Sequence, residues 1–280
     1  MSRSVDSNAT NEAEYVSSRA RMLAILDLFS DETPVWTSED IIENLGFSRP
    51  TGYRYIKELC SAGLLLRLTG GLYVLGPRIL ELDLLIRRTD PVLRIARPMM
   101  RELVGQSGGD VLLAHVYGDQ VMNVHREDGP TPVTISYDRG RPNPLFRGST
   151  SKAILPFLPR AQLRRIYEAG ADEARDAGLG RNWKEFKAAL APIRRAGHVI
   201  GRGELDAGVM GIAAPIFMGD KHVLGSLTLI VKKQHYQMFD EKYAARIVLE
   251  TSGRISQALS HHLSEDVSAH RPVETRVCTQ

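Results

Sequence analysis

The chain contains few of the residues that build disulfide-rich, metal-bound or membrane-spanning proteins. Its 280 residues include only two cysteines, Cys60 and Cys278, too few for a disulfide framework or a cysteine-based zinc site. Aromatic residues make up 6% of the chain, and no hydrophobic run is long enough to predict a membrane-spanning helix. These scarcities favour a protein of the reducing cytoplasm.

The chain also has little excess of positive over negative charge. Lysine and arginine number 36 against 33 aspartate and glutamate, which gives a formal net charge of +3. With 43% hydrophobic residues, the composition is that of a globular protein long enough for two domains. Acidic side chains slightly outnumber basic ones in the first ninety residues, so any affinity for a polyanion must come from a local cluster.

Residues 38–67 have the pattern of two helices followed by a hairpin. The first helix is predicted to start at Ser38 as its N-cap, and the second to start at Ser48 and to continue to about Ala62. Gly70 and Gly71 then separate two apolar runs, which is typical of a hairpin. A hairpin directly after the second helix predicts a winged helix-turn-helix, a fold that reads DNA.

The second helix is predicted to pack one side and leave the other free. A helix fits the major groove, and arginine offers it a forked donor for base edges. The residues predicted to contact promoter DNA are Ser48, Arg49, Thr51, Tyr53, Arg54, Lys57 and Arg67. A winged domain that contacts another protein is the alternative. Replacement of the basic residues distinguishes the two.

Residues 77–89 carry apolar side chains on more than one side of a predicted helix. Such a helix needs two partners, so one face is predicted to pack on a second copy of the chain. The expected assembly is a dimer, or a tetramer made of two dimers, because one reader alone should bind DNA weakly.

Beyond Gly109 the pattern changes to alternating strands and helices, which predicts an α+β domain. The predicted strands are 111–117, 120–126, 133–137, 209–217 and 223–231. The predicted helices are one from Ser149 to Leu158 and those at 160–168, 183–197 and 240–263. The predicted organisation is a flexible arm (1–17), a winged helix-turn-helix domain (18–76), linker helices (77–105), a ligand-binding domain (106–264) and a flexible tail (265–280).

Four segments, in order, resemble the IclR-type bacterial transcriptional regulators. They are LGFSRPTGYRYIKELCSAGLL, GLYVLGPRILEL, PLFRGSTSKAILPFLP and RRAGHVIGRGELDAGVMGIAAPI. The resemblance implies a linker helix between the winged helix-turn-helix and a GAF-like effector-binding domain with an antiparallel sheet. It also implies control by a small organic acid. A cofactor, a bound metal, catalytic activity and a membrane partner are not expected.

The resemblance also implies an effector pocket. It carries over to Ser149, Thr150, Gly201, Gly211, Thr228 and Ile230, with Arg147 and His115 as additional partners. Amides at the start of the helix at Ser149 are expected to favour a carboxylate. Members that sense glyoxylate-type acids carry acidic, cysteine and serine residues where this chain has Gly201, Gly211 and Ile230. We therefore expect a roomier, more apolar pocket and a larger acid, aromatic or alicyclic.

Other interpretations of these residues remain open. Gly201 and Gly211 also suit a bulge or close packing, and threonine is common in strands. The four histidines on or beside strands lack metal-ligand spacing. Ser149 and Lys152 have the S-x-x-K spacing of serine acyl-transfer enzymes, but the companion motifs of those enzymes are absent.

Overall fold

The computed structural model describes residues 17–219, 222–232 and 240–269. The predicted arm, apart from Ser17, and Cys278 lie outside these ranges. The described chain divides into two compact units, with the boundary between Thr89 and Asp90. The helices within these ranges include none that is long and apolar enough to cross a membrane.

Within residues 17–89, the N-terminal unit contains four α-helices and a small antiparallel sheet. In chain order its elements are α1 (Ser18–Leu23), a 3-10 turn (Leu26–Leu28), β1 (Trp36–Thr37), α2 (Ser38–Asn44), α3 (Arg49–Ser61), β2 (Leu65–Arg67), β3 (Leu72–Leu75) and α4 (Arg78–Thr89). The sheet order is β1-β3-β2. The helix-turn-helix and the wing are therefore confirmed, whereas β1, which pairs Trp36 with Tyr73, was not predicted.

The start of α2 differs from the prediction by one residue. Its N-cap is Thr37, whose side chain accepts a hydrogen bond from the Asp40 amide at 3.1 Å, rather than Ser38. Thr37 takes this role because it is the last extended residue of β1, and an N-cap needs extended backbone. Ser38 is the first helical residue instead.

The two helices of the motif approach closely at Gly52. A Cβ atom built on Gly52 would lie 2.2 Å from Cγ1 of Ile42. The close packing of α3 on α2 therefore requires glycine, which has no side chain, at position 52. Ile41, Ile56 and Leu59 are buried around this contact. Burial of these apolar side chains supplies the free energy that holds the motif together.

The C-terminal unit is an α+β domain, as predicted. Its helices are α5 (Pro91–Ser107), α6 (Ser149–Lys152), α7 (Arg160–Ala169), α8 (Ala171–Asp176), α9 (Trp183–Ala196) and α10 (Glu241–Ala269). Its strands are β4 (Asp110–Tyr117), β5 (Gln120–Glu127), β6 (Pro142–Asn143), β7 (Val199–Arg202), β8 (Val209–Met218) and β9 (His222–Lys232). The strands form one antiparallel sheet in the order β6-β5-β4-β9-β8-β7.

Both faces of this sheet are covered. One face, with Leu113, Ile212 and Leu229, packs against α5 and α10 in one apolar cluster. On the other face, Ala114 and Val121 pack in a cluster with residues of α7 and α9. Because β8 and β9 bury both faces, their sequences are nearly continuous apolar runs instead of alternating ones.

The predicted strand 133–137 is wrong: this segment is a loop, and β6 lies further along the chain. Its backbone groups bond to side chains instead of a neighbouring strand. Val133 donates its amide to the Asp110 carboxylate at 2.7 Å, and its carbonyl accepts from Arg126 at 2.8 Å. The carboxylate of Asp206 accepts the Ser136 amide at 3.1 Å. Side-chain partners therefore replace the strand ladder.

Two helix predictions also need correction. The helix predicted from Ser149 to Leu158 is interrupted, because α6 ends at Lys152 and a 3-10 turn occupies Leu155–Phe157 before Pro159. The last helix, α10, continues to Ala269, so residues 265–269 of the predicted tail are helical. The rest of that tail lies outside the described residues. Short β7 and α8 were not predicted.

Candidate functional site

The outer face of α3 is polar and exposed. Arg49, Arg54 and Lys57 are exposed on it, whereas Tyr55 and Ile56 are buried on the opposite side. The alternation follows from helical periodicity, which places residues three or four apart on one face. The predicted reading residues of this helix therefore share a surface that a groove can approach.

Hydrogen bonds hold the start of this face in place. Ser48 is the N-cap of α3, but its hydroxyl donates to the Thr51 hydroxyl at 2.9 Å and caps no amide. The Tyr53 hydroxyl donates to the Glu39 carboxylate on α2 at 2.8 Å. This bond lowers the pKa of Glu39 and raises the pKa of Tyr53. Tyr53 therefore presents a ring edge fixed by α2, with 46% of the residue exposed.

Arg54 and Arg67 complete the basic surface. The guanidinium of Arg54 lies over the Tyr55 ring, 5.4 Å from its centroid, a contact that restricts where the arginine extends. Arg67 is exposed on β2, opposite Tyr73 of β3. Burial raises the pKa of the Cys60 thiol behind this surface, so Cys60 behaves as a packed apolar residue.

The helix α4 has no buried residue within a single chain. Leu80 is 73% exposed and Ile86 is 55% exposed, and Leu82, Leu84 and Leu85 are also exposed. Soluble proteins rarely expose so many large apolar side chains on one short helix. A second copy of the chain as the partner of this surface stays a prediction.

A cavity of about 60 Å³ lies beside the sheet of the C-terminal unit and opens to solvent. Its wall contains six of the residues predicted for the effector. They are Ser149, Thr150, Gly201, Gly211, Thr228 and Ile230. Arg147 is exposed and does not line the cavity. His115 does not line it either; it is buried near Tyr117, and burial lowers its pKa.

Close packing around Ser149 explains the two predicted glycines. A Cβ atom on Gly211 would lie 2.3 Å from Ser149 Oγ, and one on Gly201 would lie 3.2 Å from the Ser149 amide nitrogen. Beside them the hydroxyls of Thr150 and Thr228 are hydrogen-bonded at 3.0 Å. The glycines thus let β7 and β8 approach the start of α6, and the threonines tie α6 to β9.

Asn123 was not predicted, and it supplies the cavity with a buried acceptor. Its side-chain nitrogen donates to the Tyr137 carbonyl at 2.7 Å, and because a carbonyl can only accept, this bond fixes the amide orientation. The other atom, Oδ1, is buried without a hydrogen-bond partner, in a residue only 1% exposed. A buried acceptor of this kind favours a ligand that donates a hydrogen bond.

Two acidic residues in the turn between β7 and β8 also line the cavity. Glu204 accepts the Gly148 amide at 3.0 Å and pairs with Lys152 at 2.5 Å. Asp206 accepts both the amide and the hydroxyl of Ser136. Together with Asn123 and Asn143, these groups add polar atoms to a wall that also contains apolar side chains, and the expectation of a roomier, more apolar pocket stays a prediction. Among the described residues, the wall contains no lysine, arginine or histidine.

A carboxylate of the chain itself lies at the start of α6, where the sequence predicts the carboxylate of the effector. The helix has only four residues, so its dipole is small, and the amide of its N-cap Gly148 bonds to Glu204. The predicted effector carboxylate at Ser149 and Thr150 stays a prediction. Sequence alone offered one signal for Glu204: it is one of two acidic residues within the glycine-bounded turn Gly203–Gly208, three positions after the predicted Gly201. The partner of this acidic residue lies more than fifty positions earlier in the chain, which hides the pairing.

The arrangement around Ser149 does not favour acyl transfer. That chemistry needs a lysine available to take the proton of the serine hydroxyl. Here Lys152 pairs with Glu204, and Ser149 Oγ lies beside Gly211.

Comparison with known proteins gives matches to both units. A family model of the IclR helix-turn-helix domain matches residues 18–68, and one of the C-terminal domain of bacterial IclR transcriptional regulators matches residues 86–257. The chain is 23% identical over 241 residues to the HTH-type transcriptional regulator KipR of Bacillus subtilis, with 86% of this chain and 96% of KipR covered.

Solved structures show the same fold. The IclR family transcriptional regulator from Brucella abortus superposes with a TM-score of 0.71 at 21% identity, covering 90% of this chain and 96% of that one. An IclR homolog from Microbacterium hydrocarbonoxydans, in complex with 4-hydroxybenzoate, superposes with a TM-score of 0.66 at 21% identity, covering 88% and 100%. With both domains matched in order, the chain belongs to the IclR family of bacterial transcriptional regulators.

Proposed function

We propose that this regulator binds promoter DNA through the exposed face of α3 and the β2–β3 wing. The observation that carries this proposal is the basic surface of Arg49, Arg54, Lys57 and Arg67 above a packed helix-turn-helix. Arg54 is the proposed base reader, because its guanidinium can bond two acceptors of a base edge. The other basic residues, with Ser48, Thr51 and Tyr53, position the helix on phosphates and sugars.

The regulator acts as a dimer, or as a tetramer built from dimers. A second copy packs on α4, whose leucines are exposed in the single chain. Two readers double the contact with DNA and match a two-fold symmetric site. Its place of action is the cytoplasm, where the promoter is.

A small organic acid in the cavity controls DNA binding. The cavity offers hydroxyl groups at Ser149, Thr150 and Thr228 and the acceptor Asn123 Oδ1. A hydroxyl-bearing acid satisfies Asn123, and 4-hydroxybenzoate, the ligand in the Microbacterium homolog, is one such molecule. The acid must bind one arrangement of the regulator better than another, because equal affinity for both would change nothing.

A titration of DNA tests the proposed reader. The purified protein is mixed with labelled DNA from upstream of its own gene and the neighbouring genes, at several salt concentrations, with unrelated DNA as competitor. We expect saturable binding that survives the competitor. Arg54→Ala should weaken specific DNA binding by about 1–3 kcal/mol and relax sequence specificity. Lys57→Ala should weaken binding to all DNA sequences similarly and reduce the dependence of the affinity on salt concentration.

Lys184→Ala is the matched control. It removes one exposed positive charge from α9 of the C-terminal unit and should leave DNA binding unchanged. If the Arg54 and Lys57 variants bind DNA as tightly as the wild type does, α3 does not read DNA through this face. If the wild type binds every sequence equally, the winged domain has another partner.

A further inference from the structure

We propose that Glu204 is an internal carboxylate that holds the place of the effector carboxylate, and that an acidic ligand enters the cavity by exchanging with it. This inference deepens the proposed function, because it rests on the cavity being the effector site. It makes Glu204 a specificity-determining residue.

The contacts of Glu204 define an anion position at the cavity wall. Its Oε2 atom accepts the Gly148 amide at 3.0 Å and lies 2.5 Å from Lys152 Nζ. The Lys152 side chain is only 12% exposed, whereas that of Glu204 is 29% exposed. A buried ammonium is costly without an anion, so this position requires a carboxylate from some source.

The rest of the cavity cannot supply a second anion position of this kind. Among the residues that the structure describes, the wall carries Glu204 and Asp206 and no cationic side chain. An acidic ligand that left Glu204 in place would face two carboxylates, and the nearby cation Lys152 is already paired with Glu204. Exchange with Glu204 removes one of these carboxylates and gives the ligand Lys152 and the Gly148 amide in its place.

The buried acceptor of Asn123 gives the ligand a second point of attachment. Asn123 lines the same cavity, and its Oδ1 atom is buried without a hydrogen-bond partner. A ligand with a hydroxyl group and a carboxylate can therefore donate to Asn123 while its carboxylate pairs with Lys152. The chemical class is a hydroxy acid whose two groups are separated by an apolar body.

The turn that carries Glu204 is suited to release it. Gly203 and Gly208 bound the turn with positive φ angles of 64° and 79°. Between them, Leu205 packs over Gly148, and Asp206 holds Ser136 of the preceding loop. Release of Glu204 removes the attachment to α6 while Asp206 keeps the other end of the turn in place. The exchange thus links ligand entry to the conformation of residues 203–208.

Calorimetric titration of the full-length protein tests the exchange. The probes are benzoate and 4-hydroxybenzoate, with benzamide and 4-hydroxybenzamide as uncharged analogues. In Glu204→Gln the position beside Lys152 is no longer filled by a carboxylate, so the two acids should bind roughly tenfold or more tightly than to the wild type. The amides should bind wild type and variant alike.

Two further variants localise the effect. Adding Lys152→Met to Glu204→Gln removes the cation and should abolish the gain in affinity for acids. Glu168→Gln, which removes the carboxylate of an exposed pair with Arg164, is the matched control and should leave all affinities unchanged. Thermal denaturation of each variant verifies that it is folded.

The wild type provides a test that needs no variant. Hydrogen exchange within residues 203–208 should increase when 4-hydroxybenzoate saturates the protein and stay unchanged with 4-hydroxybenzamide. The inference is overturned if Glu204→Gln binds the acids no better than the wild type, including the case in which neither binds. An equal gain for acids and amides, or a gain that survives Lys152→Met, overturns it as well.

These outcomes are separate from those of the proposed function. DNA titration without ligand, on the same proteins, reports only on the reader. Loss of specific DNA binding by the wild type would contradict the proposed function, whatever the acids do. Equal acid affinities in a protein that binds its promoter would contradict only the exchange at Glu204.

Discussion

The exposed face of α3 draws its residues from thirteen consecutive positions, whereas the cavity wall draws its residues from segments between Leu112 and Ile230. The first surface is convex and made by the period of one helix. The second is concave and exists only after six strands and α6 have come together. A local pattern can therefore reveal a reader, but an effector site becomes visible only through tertiary contacts.

The two regions also handle charge differently. The basic residues of α3 extend into solvent, where pairing contributes little free energy. In the C-terminal unit, Asp110 is 1% exposed and accepts from Gly129, Val133 and Arg126 at 2.7–2.8 Å. The basic side chains of α3 are thus available to a ligand, whereas the carboxylate of Asp110 stabilises the fold of the C-terminal unit.

The largest expected effect is on the buried charge at Asp110. Asp110→Ala should lower the free energy of unfolding of the C-terminal unit by about 3–5 kcal/mol, because Arg126 and two amides lose their buried partner. The chain has two tryptophans, Trp36 and Trp183, one in each unit. In a Trp36→Phe background, urea unfolding followed by Trp183 fluorescence therefore reports on the C-terminal unit alone.

Asp138→Ala is the control for this substitution. Asp138 pairs with the same Arg126 at 3.3 Å, but its side chain is 54% exposed. Asp138→Ala should lower the free energy of unfolding by less than about 1 kcal/mol. If the two substitutions lower the free energy of unfolding equally, burial does not make the ion pair of Asp110 more stabilising than that of Asp138.

The next effect concerns the contact between α2 and α3. Gly52→Ala should lower the free energy of unfolding of the N-terminal unit by about 1–3 kcal/mol, because the new methyl group collides with Ile42. Trp36 fluorescence in a Trp183→Phe background measures it. DNA binding should weaken in parallel, and ligand binding in the cavity should not change.

Gly105→Ala makes the same chemical change where nothing lies within 4 Å of the new Cβ atom. Gly105 is within α5, so alanine should stabilise the C-terminal unit by roughly 0.5–1 kcal/mol. If Gly52→Ala also stabilises the N-terminal unit, α2 and α3 do not pack as closely at position 52 as the structure shows.

The smallest expected effect is a pH dependence of the C-terminal unit. Burial lowers the pKa of His115 below its ordinary value of 6.5, although Asp90 opposes the shift. The unfolded chain therefore binds the proton more readily. Stability is complete above the unfolded pKa and falls as pH decreases towards the lowered folded pKa.

Urea midpoints of the Trp36→Phe protein, measured at about pH 7.5 and about pH 5.5, test this sign. The midpoint should be lower at the acid pH, and the difference should shrink in His115→Gln. Glu127 does not interfere, because hydrogen bonds from His125, Arg97 and Arg101 outweigh its burial and place its pKa below 4.5. An undiminished difference in His115→Gln would assign the pH dependence to another group.

The sequence predicted the helix-turn-helix, the wing and both long strands of the C-terminal sheet, since each has a local signature. It failed at residues 133–137, where alternation suited a strand but Asp110, Arg126 and Asp206 supplied side-chain partners instead. Within the cavity, the glycines and Ser149 were found by family resemblance. Asn123 and Glu204 were missed because their functional setting depends on residues distant in the chain.

The exposure of α4 has a consequence for how the regulator responds to dilution. An isolated helix of twelve residues is only marginally stable in water, and α4 buries no side chain of its own chain. Its helical content should therefore depend on protein concentration. If two copies pair through α4 as proposed, association and helix formation occur together, and a diluted regulator loses the last helix of its N-terminal unit as well as its partner. DNA occupancy should consequently rise more steeply than the first power of protein concentration.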